Sequence, residues 1–375
     1  MTRTTSFKLF KILGIEIRID YSWFIIFALI VYFFGFSYFP QVLPHTKIWL
    51  IIIITIVSAL LFFFSILFHE FSHSVVAIRN KISVKRITLF VFGGIAQIEK
   101  EPDSASKELA ISIAGPLSSY FLAIIFGLVW ILGRFIPEIS EPAKYLTLIN
   151  IVLGTFNLLP GFPLDGGRVL RSILWKSTKD FEKATFIATN IGKVIGFAII
   201  LWGTIYIFTG NFFNGIWLIF IGWFLQSSAT QSHSQVIIEK SIKGIKVGDV
   251  INTHIVTVPS KITIQEFMDN WFMKYPFGRF PVVDSDNNDK YLGIITLNDI
   301  KNLPQDKWDL TKIGDMVNIY VEEDKVEMDM ELYDAMKKLN DTNISSLVVI
   351  ENSKITGLLT KTDIIKFIKV KSAFK

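Results

Sequence analysis

The chain has 375 residues, of which 51% are hydrophobic and 34 are phenylalanine, with a mean hydropathy of +0.46. Charged residues are 19% of the chain, against about a quarter in an ordinary soluble protein, so a wholly soluble globular protein is excluded. The net charge of +5 is too modest to argue for nucleic-acid binding, and the absence of cysteine excludes disulfides, thiolate ligands and cysteine nucleophiles, leaving His and carboxylate for any transition metal.

Crossing a bilayer as a helix takes about 20 apolar residues. Tyr21–Phe39 carries no charge and no small-residue cleavage pattern, so it is expected to be a retained first span. The apolar run Lys47–Ile78 is a longer second span, Glu108–Leu132 a third, Ala184–Phe208 a fifth and Phe212–Ala229 a sixth. The fourth begins at Lys144–Asn157, is interrupted by Leu159-Pro160-Gly161-Phe162-Pro163 and resumes at Leu164–Trp175. Pro and Gly at membrane depth are tolerated where the freed backbone lines a protein-enclosed cavity, which makes the break a candidate site. Between spans two and three, Val84–Ile98 is rich in β-branched residues around a Gly93-Gly94 pair and reads as a hairpin or sharply turned strand. Lys and Arg gather before span one, between spans two and three and after span four. The positive-inside bias therefore predicts a multi-pass cell-membrane protein with both termini in the cytoplasm.

Composition changes near Ser241, and an ordinary α/β sequence follows. Val247-Gly248-Asp249 recurs as Ile313-Gly314-Asp315, Pro281-Val282-Val283 as Leu347-Val348-Val349, and Gly293-Ile294-Ile295-Thr296-Leu297-Asn298-Asp299 as Gly357-Leu358-Leu359-Thr360-Lys361-Thr362-Asp363. Two copies at a period of about 65 residues are too few for a solenoid and predict a pair of small α/β units. The expected division is a membrane domain over 1–240 and two repeats over 244–304 and 308–370.

The chemistry-bearing motif is His69-Glu70-Phe71-Ser72-His73, inside the second span. The i, i+4 spacing puts both imidazoles on one helix face, where they can share one ion, and Glu70 beside the first ligand is placed to act as a general base. On a soluble helix the same letters often make only a solvated face. In a membrane each ionisable residue costs about 2.5–3.5 kcal/mol unless partnered, so three together argue for a site. A catalytic zinc site needs three protein ligands and an open position. Asp165, just after the break in span four, is the strongest third candidate, although its position would also suit a helix N-cap.

With these residues in place, the chain resembles the site-2 protease family of intramembrane zinc metalloproteases. The resemblance rests on His69-Glu70-Phe71-Ser72-His73 and on Asn157-Leu158-Leu159-Pro160-Gly161-Phe162-Pro163-Leu164-Asp165-Gly166-Gly167-Arg168. Gly14-Ile15-Glu16-Ile17, Phe92-Gly93-Gly94-Ile95-Ala96 and Ala114-Gly115-Pro116 support it. It implies one Zn2+ per chain on His69, His73 and Asp165, Glu70 as base, and Asn157 holding substrate or the developing oxyanion. Asn157 would equally suit capping of the broken helix. A transmembrane helix must unwind to be cut, and the strand around Ile87–Phe92, with Val91, Gly93 and Gly94, is expected to pair with the freed substrate backbone.

The repeats resemble CBS domains over residues 244–370. That resemblance implies an adenine nucleotide (ATP, ADP or AMP) at Thr296, Asp299, Thr360 and Asp363, and a homodimer through the repeats. The plainer alternative is that each Asp caps the helix that follows it. The overall expectation is an α-helical membrane protein of about six transmembrane helices, one broken, plus a short β-hairpin, followed by a soluble α/β CBS-domain pair. It is an intramembrane zinc endopeptidase that cuts transmembrane protein substrates and is modulated by nucleotide. The competing reading is a CBS-gated metal-ion transporter or channel, which would spread carboxylates along a pathway instead of clustering them.

Overall fold

A computed structural model describes residues 6–91, 93–98, 101–284, 286, 290–317, 324–342, 344–351 and 354–373. They form two compact units, one within Arg3–Val236 and one within Ile237–Lys375.

The first unit opens with an element the hydrophobic runs did not suggest. Strands β1 (Ser6–Ile12) and β2 (Ile15–Asp20) form an antiparallel hairpin. Its two turn residues, Leu13 and Gly14, both have positive φ, which matches the right-handed twist of the strands. In β2, Ile15, Ile17 and Ile19 are buried while Glu16, Arg18 and Asp20 alternate with them, the period-2 pattern of a half-buried strand. Span one follows as α1 (Trp23–Tyr32), a π-helical stretch Phe33–Tyr38, and α2 (Phe39–Val42).

Helix α3 (Ile48–Arg79) is 32 residues long and carries the His-Glu motif in its last third. It leads into β3 (Val84–Phe90) and β4 (Gly93–Ile98), which pair antiparallel. Because β3 also pairs parallel with β2, the four strands make one sheet in the order β1-β2-β3-β4. The face carrying Ile15, Ile17 and Ile87 packs with Ala77 of α3 and Ile111 of α4 (Ala105–Leu132). The broken span is α5 (Pro137–Asn157) and α6 (Asp165–Thr178), joined by the Pro160–Pro163 break. Helix α7 (Phe181–Phe208) and α8 (Phe212–Ile242) as far as Val236 complete the unit, and α8 continues well past the apolar run ending at Ala229.

Among the described residues, five helical stretches are long and apolar enough to cross a membrane: Trp23–Val42, Ile48–Arg79, Ala105–Leu132, Phe181–Phe208 and Phe212–Ile242. The broken α5–α6 pair brings the helical crossings to about six. Polar and small groups stitch them together. Buried Asn150 of α5 donates to Ser65 Oγ of α3 at 3.0 Å. A Cβ on Gly203 of α7 would stand 2.7 Å from the Gly215 carbonyl of α8, the close helix approach that small residues permit where lipid supplies no hydrophobic drive.

The second unit holds a six-stranded sheet in the order β5-β6-β7-β10-β9-β8. Its first half is β5 (Val258–Pro259), α9 (Ile264–Phe267), β6 (Arg279–Asp284), β7 (Lys290–Thr296) and α10 (Leu297–Ile300). The short helix α11 (Ile313–Met316) leads into the second half: β8 (Lys325–Val326), α12 (Leu332–Asp341), β9 (Ser346–Glu351), β10 (Lys354–Thr360) and α13 (Lys361–Ala373). Each half pairs its short strand parallel and its hairpin antiparallel, and the halves meet at β7 and β10. The lead-in segments are exchanged. Val247 and Gly248 donate to the carbonyls of Met330 and Met328 in the second repeat, while Ile313 and Gly314 donate to Ile262 and Ser260 in the first. Neither repeat completes its core alone, which is why the sequence carries two.

Candidate metal centre

Helix α3 presents His69 and His73 one turn apart, and both side chains are buried. Each ring is oriented from behind by α4. The Nδ1 of His73 donates to the Ile111 carbonyl at 2.6 Å, and the Nδ1 of His69 lies 2.9 Å from Ser119 Oγ. Both Nε2 atoms therefore face forward, 3.2 Å apart, and Asp165 Oδ2 lies 3.1 Å from each.

The alternative role for Asp165 is not the one its side chain takes. Leu164 holds the N-cap position of α6, no side chain caps it, and Asp165 is the first helical residue with its carboxylate turned to the imidazoles. Among the described residues, His69, His73 and Asp165 are the only group of three such side chains whose ligand atoms cluster this closely.

This donor set fits zinc. Ligand atoms about 2.0–2.1 Å from a tetrahedral zinc stand about 3.3 Å from one another, close to the 3.1–3.2 Å seen here. With its Nδ1 proton committed to Ile111, a neutral His73 directs its Nε2 lone pair at a carboxylate oxygen. Acceptors that face one another are reconciled by a shared cation. Room at the centre is set by Gly115 of α4: a Cβ there would lie 2.1 Å from His73 Nε2 and 2.6 Å from His69 Nε2.

Glu70 is partly buried, and its titratable neighbours are His73, His69, Asp165 and Arg168. The backbone of β4 closes over it, since a Cβ on Gly94 would meet Glu70 Cγ at 2.5 Å. Gly93, at φ +126°, is in a backbone region that L side chains avoid, so the turn into β4 depends on glycine.

The strand geometry corrects one expectation. Residues Ile87–Phe90 belong to β3, which is paired with β2 on one side and β4 on the other, so this strand has no edge to offer. Among the described residues β4 is the end strand of the sheet, with Gly93 and Gly94 in it and Gly94 against Glu70. Val91 sits in the turn and its N–H donates to Ser22 Oγ at 3.2 Å. Phe92 lies outside the described residues.

Asn157 ends α5 half-buried, and its amide donates to the Leu153 carbonyl at 3.0 Å. One of its two N–H groups is thus spent on its own helix. The break between α5 and α6 is held against α7, where a Cβ on Gly192 would clash with the Phe162 carbonyl at 2.1 Å.

In the second unit, Thr296 and Asp299 bond to each other. The Thr296 N–H and Oγ1–H both donate to Asp299 Oδ2, at 2.8 and 2.7 Å. Thr360 and Asp363 repeat the pattern at 2.9 and 2.6 Å, and the Asp363 N–H donates back to Thr360 Oγ1 at 3.2 Å. These are helix-capping bonds, as in the plainer alternative, but with the roles shifted: each Thr stands before the helix and each Asp lies in its first turn, bonding back.

Sequence reasoning missed Ser119, the Ile111 carbonyl and the buried Glu108–Arg171 ion pair. A carbonyl partner leaves no mark in a sequence. Glu108 did leave one, as a carboxylate at the head of an apolar span.

Comparison with known proteins agrees with this architecture. The chain matches Peptidase family M50 over residues 57–135 and 134–203, and the CBS domain over residues 247–306 and 319–370. A protein of Synechocystis sp. whose name places it among the zinc metalloproteases is 33% identical over 97% of this chain and 95% of its own. A zinc metalloprotease of Methanocaldococcus jannaschii is 32% identical over 97% of this chain and 96% of its own. The solved site-2 protease from Methanocaldococcus jannaschii is 31% identical, covers 61% of this chain and 95% of its own, and superposes with a TM-score of 0.41. The chain belongs to peptidase family M50, the site-2 proteases. It is a multi-pass membrane zinc metalloprotease with a C-terminal CBS-domain pair.

Proposed function

We propose that this metalloprotease cuts peptide bonds within or near transmembrane segments of membrane proteins, with one zinc ion on His69, His73 and Asp165 and with Glu70 as general base. The observation that carries the reading is the convergence of two imidazole nitrogens and one carboxylate oxygen to 3.1–3.2 Å within apolar helices, with Glu70 alongside. Zinc, when bound, acidifies water to a pKa of about 7 and polarises a carbonyl oxygen. Glu70 takes the proton from the attacking water and passes it to the leaving amine. Asn157 offers its remaining amide N–H to the developing oxyanion. The substrate, unwound at the cut, lends its backbone to β4, the end strand of the sheet among the described residues, whose Gly94 lies against Glu70. Clustering of the metal-binding groups at one point, instead of along a pathway, supports proteolysis over metal transport.

In this reading both termini and the CBS pair lie in the cytoplasm, consistent with the basic connections. The CBS pair binds an adenine nucleotide, dimerises, and modulates cleavage. Nucleotide binding there requires Asp299 and Asp363 to exchange their caps for ribose hydroxyls, so affinity for ATP, ADP or AMP should be modest. Calorimetry on the full-length protein in detergent tests it, and no heat with any of the three sinks the nucleotide role.

The test of the proteolytic reading is Glu70→Gln. Cleavage of a membrane-embedded substrate should fall at least about 100-fold, the low end of general acid–base contributions, with zinc content unchanged. A variant that still cleaves at the wild-type rate would overturn the assignment of the base. Photo-crosslinkers at Ile95 of β4 should capture substrate where those at Thr88 of β3 do not.

A further inference from the structure

The membrane unit buries a second charged cluster that the chemistry above does not use. Glu108, at the first turn of α4, is 0% exposed, and Arg171 of α6 is 3% exposed. Arg171 Nε donates to Glu108 Oε1 at 2.7 Å, and its Nη2 bonds the same oxygen and reaches Glu101 Oε2 at 3.1 Å. Arg168 Nε stands 3.8 Å from the same Glu108 oxygen. The Arg171 guanidinium also lies 4.9 Å from the ring centroid of Phe162, in the broken segment, and 4.5 Å from that of Phe181, at the start of α7. One side chain thus touches α4, α6, the break and α7.

A buried ion pair is weak evidence for stability, because desolvating both charges offsets most of their attraction. Its best-attested use is to fix register. Here the register concerned has a chemical consequence. Helix α4 orients both imidazoles, through the Ile111 carbonyl, Ser119 and Gly115. Helix α6 carries Asp165 six residues, less than two turns, before Arg171. A side-chain atom about 6 Å from a helix axis moves about 1 Å for each 10° of rotation, and the three ligand atoms stand only 3.1–3.2 Å apart.

We infer that Arg171 and Glu108 are positioning residues that lock the rotation of α6 against α4 and so hold the Asp165 carboxylate at the metal. Arg171 aims Asp165, and Glu108 with the two rings aims Arg171. This rests on the ligand assignment proposed above.

The experiment measures zinc affinity by chelator competition on full-length protein in detergent, alongside thermal unfolding of the metal-free form. Arg171→Lys keeps the charge but loses the planar fork and its stacking. It should weaken zinc about 10- to 100-fold, the usual effect of removing a group that orients a ligand, and shift the visible spectrum of the cobalt-loaded protein. Gly203→Ala, at the remote α7–α8 crossing, is the control for a merely structural loss: it should lower the unfolding temperature and leave zinc affinity intact. Should Arg171→Lys fail to fold, Phe181→Leu removes one ring and should still weaken zinc several-fold. A folded variant of either kind with zinc affinity within twofold of wild type overturns the inference. Asp165→Asn separates the two claims. If it binds zinc as wild type does, the ligand assignment itself is wrong; if it loses zinc while Arg171→Lys does not, only the positioning role fails.

Discussion

The two units use the same side-chain chemistry to different ends. In the membrane unit a carboxylate, two imidazoles and a serine meet inside apolar helices, and each spends its polar atoms on another. In the CBS unit the repeated Thr and Asp side chains also meet, but within one turn of chain, each Thr just before a helix and each Asp in that helix's first turn. In hydrocarbon a polar group has no water to fall back on, so its presence in the sequence already implies a partner. In a soluble repeat the nearest backbone N–H is a sufficient partner, and the same letters say much less about a ligand.

The comparison breaks most sharply at Gly115. If the forward space between the imidazoles is there to hold a metal, a single methyl group should fill it. Gly115→Ala places a carbon 2.1 Å from His73 Nε2, with no flexible chain end to move aside, because both rings are fixed from behind. Zinc content, measured by atomic absorption, should fall to background and cleavage with it. Retention of one zinc per chain would mean that the metal does not occupy the space beside Gly115 and that the ligand assignment is wrong.

Gly94 sharpens the same comparison by separating metal from base. Gly94→Ala presses on Glu70 Cγ at 2.5 Å without approaching the His nitrogens. Glu70 can change rotamer where the two rings, fixed from behind, cannot, so the protein should fold and keep its zinc. The displacement, of the order of 1 Å, should lower kcat by about 100-fold. Normal cleavage with normal zinc would remove Glu70 in its present rotamer from the reaction.

How much of this was legible beforehand follows from where the information lies. His69, Glu70 and His73 were readable from spacing because one helix carries all three. Asp165 needed the demand for a third ligand, since nothing local ties position 165 to position 69. The hairpin Ser6–Asp20 is weakly marked in sequence: Ile15, Ile17 and Ile19 alternate over only six residues, next to a long apolar run, and Lys8, Lys11 and Arg18 also fit a basic segment flanking a span. Because β2 pairs with β3, residues Ile87–Phe90 are interior to the sheet, and of the two hairpin arms only β4, with Gly93 and Gly94, stands at its end. The exchange of lead-ins between the CBS repeats was beyond reach for a different reason: backbone hydrogen bonds between Val247 and Met330 leave no trace in side-chain identity.

The smallest effect lies in the caps, where the two repeats should differ from each other. Removing a Thr cap costs about 1 kcal/mol in a typical helix. Thr360 precedes the 13-residue α13, whose side chains Ile364 and Phe367 pack in the second core, whereas Thr296 precedes the four-residue α10. Both Thr–Asp pairs close a capping box, so the difference lies in the helix behind each. Thr360→Ala should therefore lower the unfolding midpoint of the CBS unit by a few degrees, more than Thr296→Ala does, with cleavage in the absence of nucleotide unchanged in both. Equal shifts would mean that Thr–Asp pairing, and not the helix behind it, sets the cost. A loss of nucleotide affinity far beyond either shift would show that these hydroxyls bind ligand as well as cap helices.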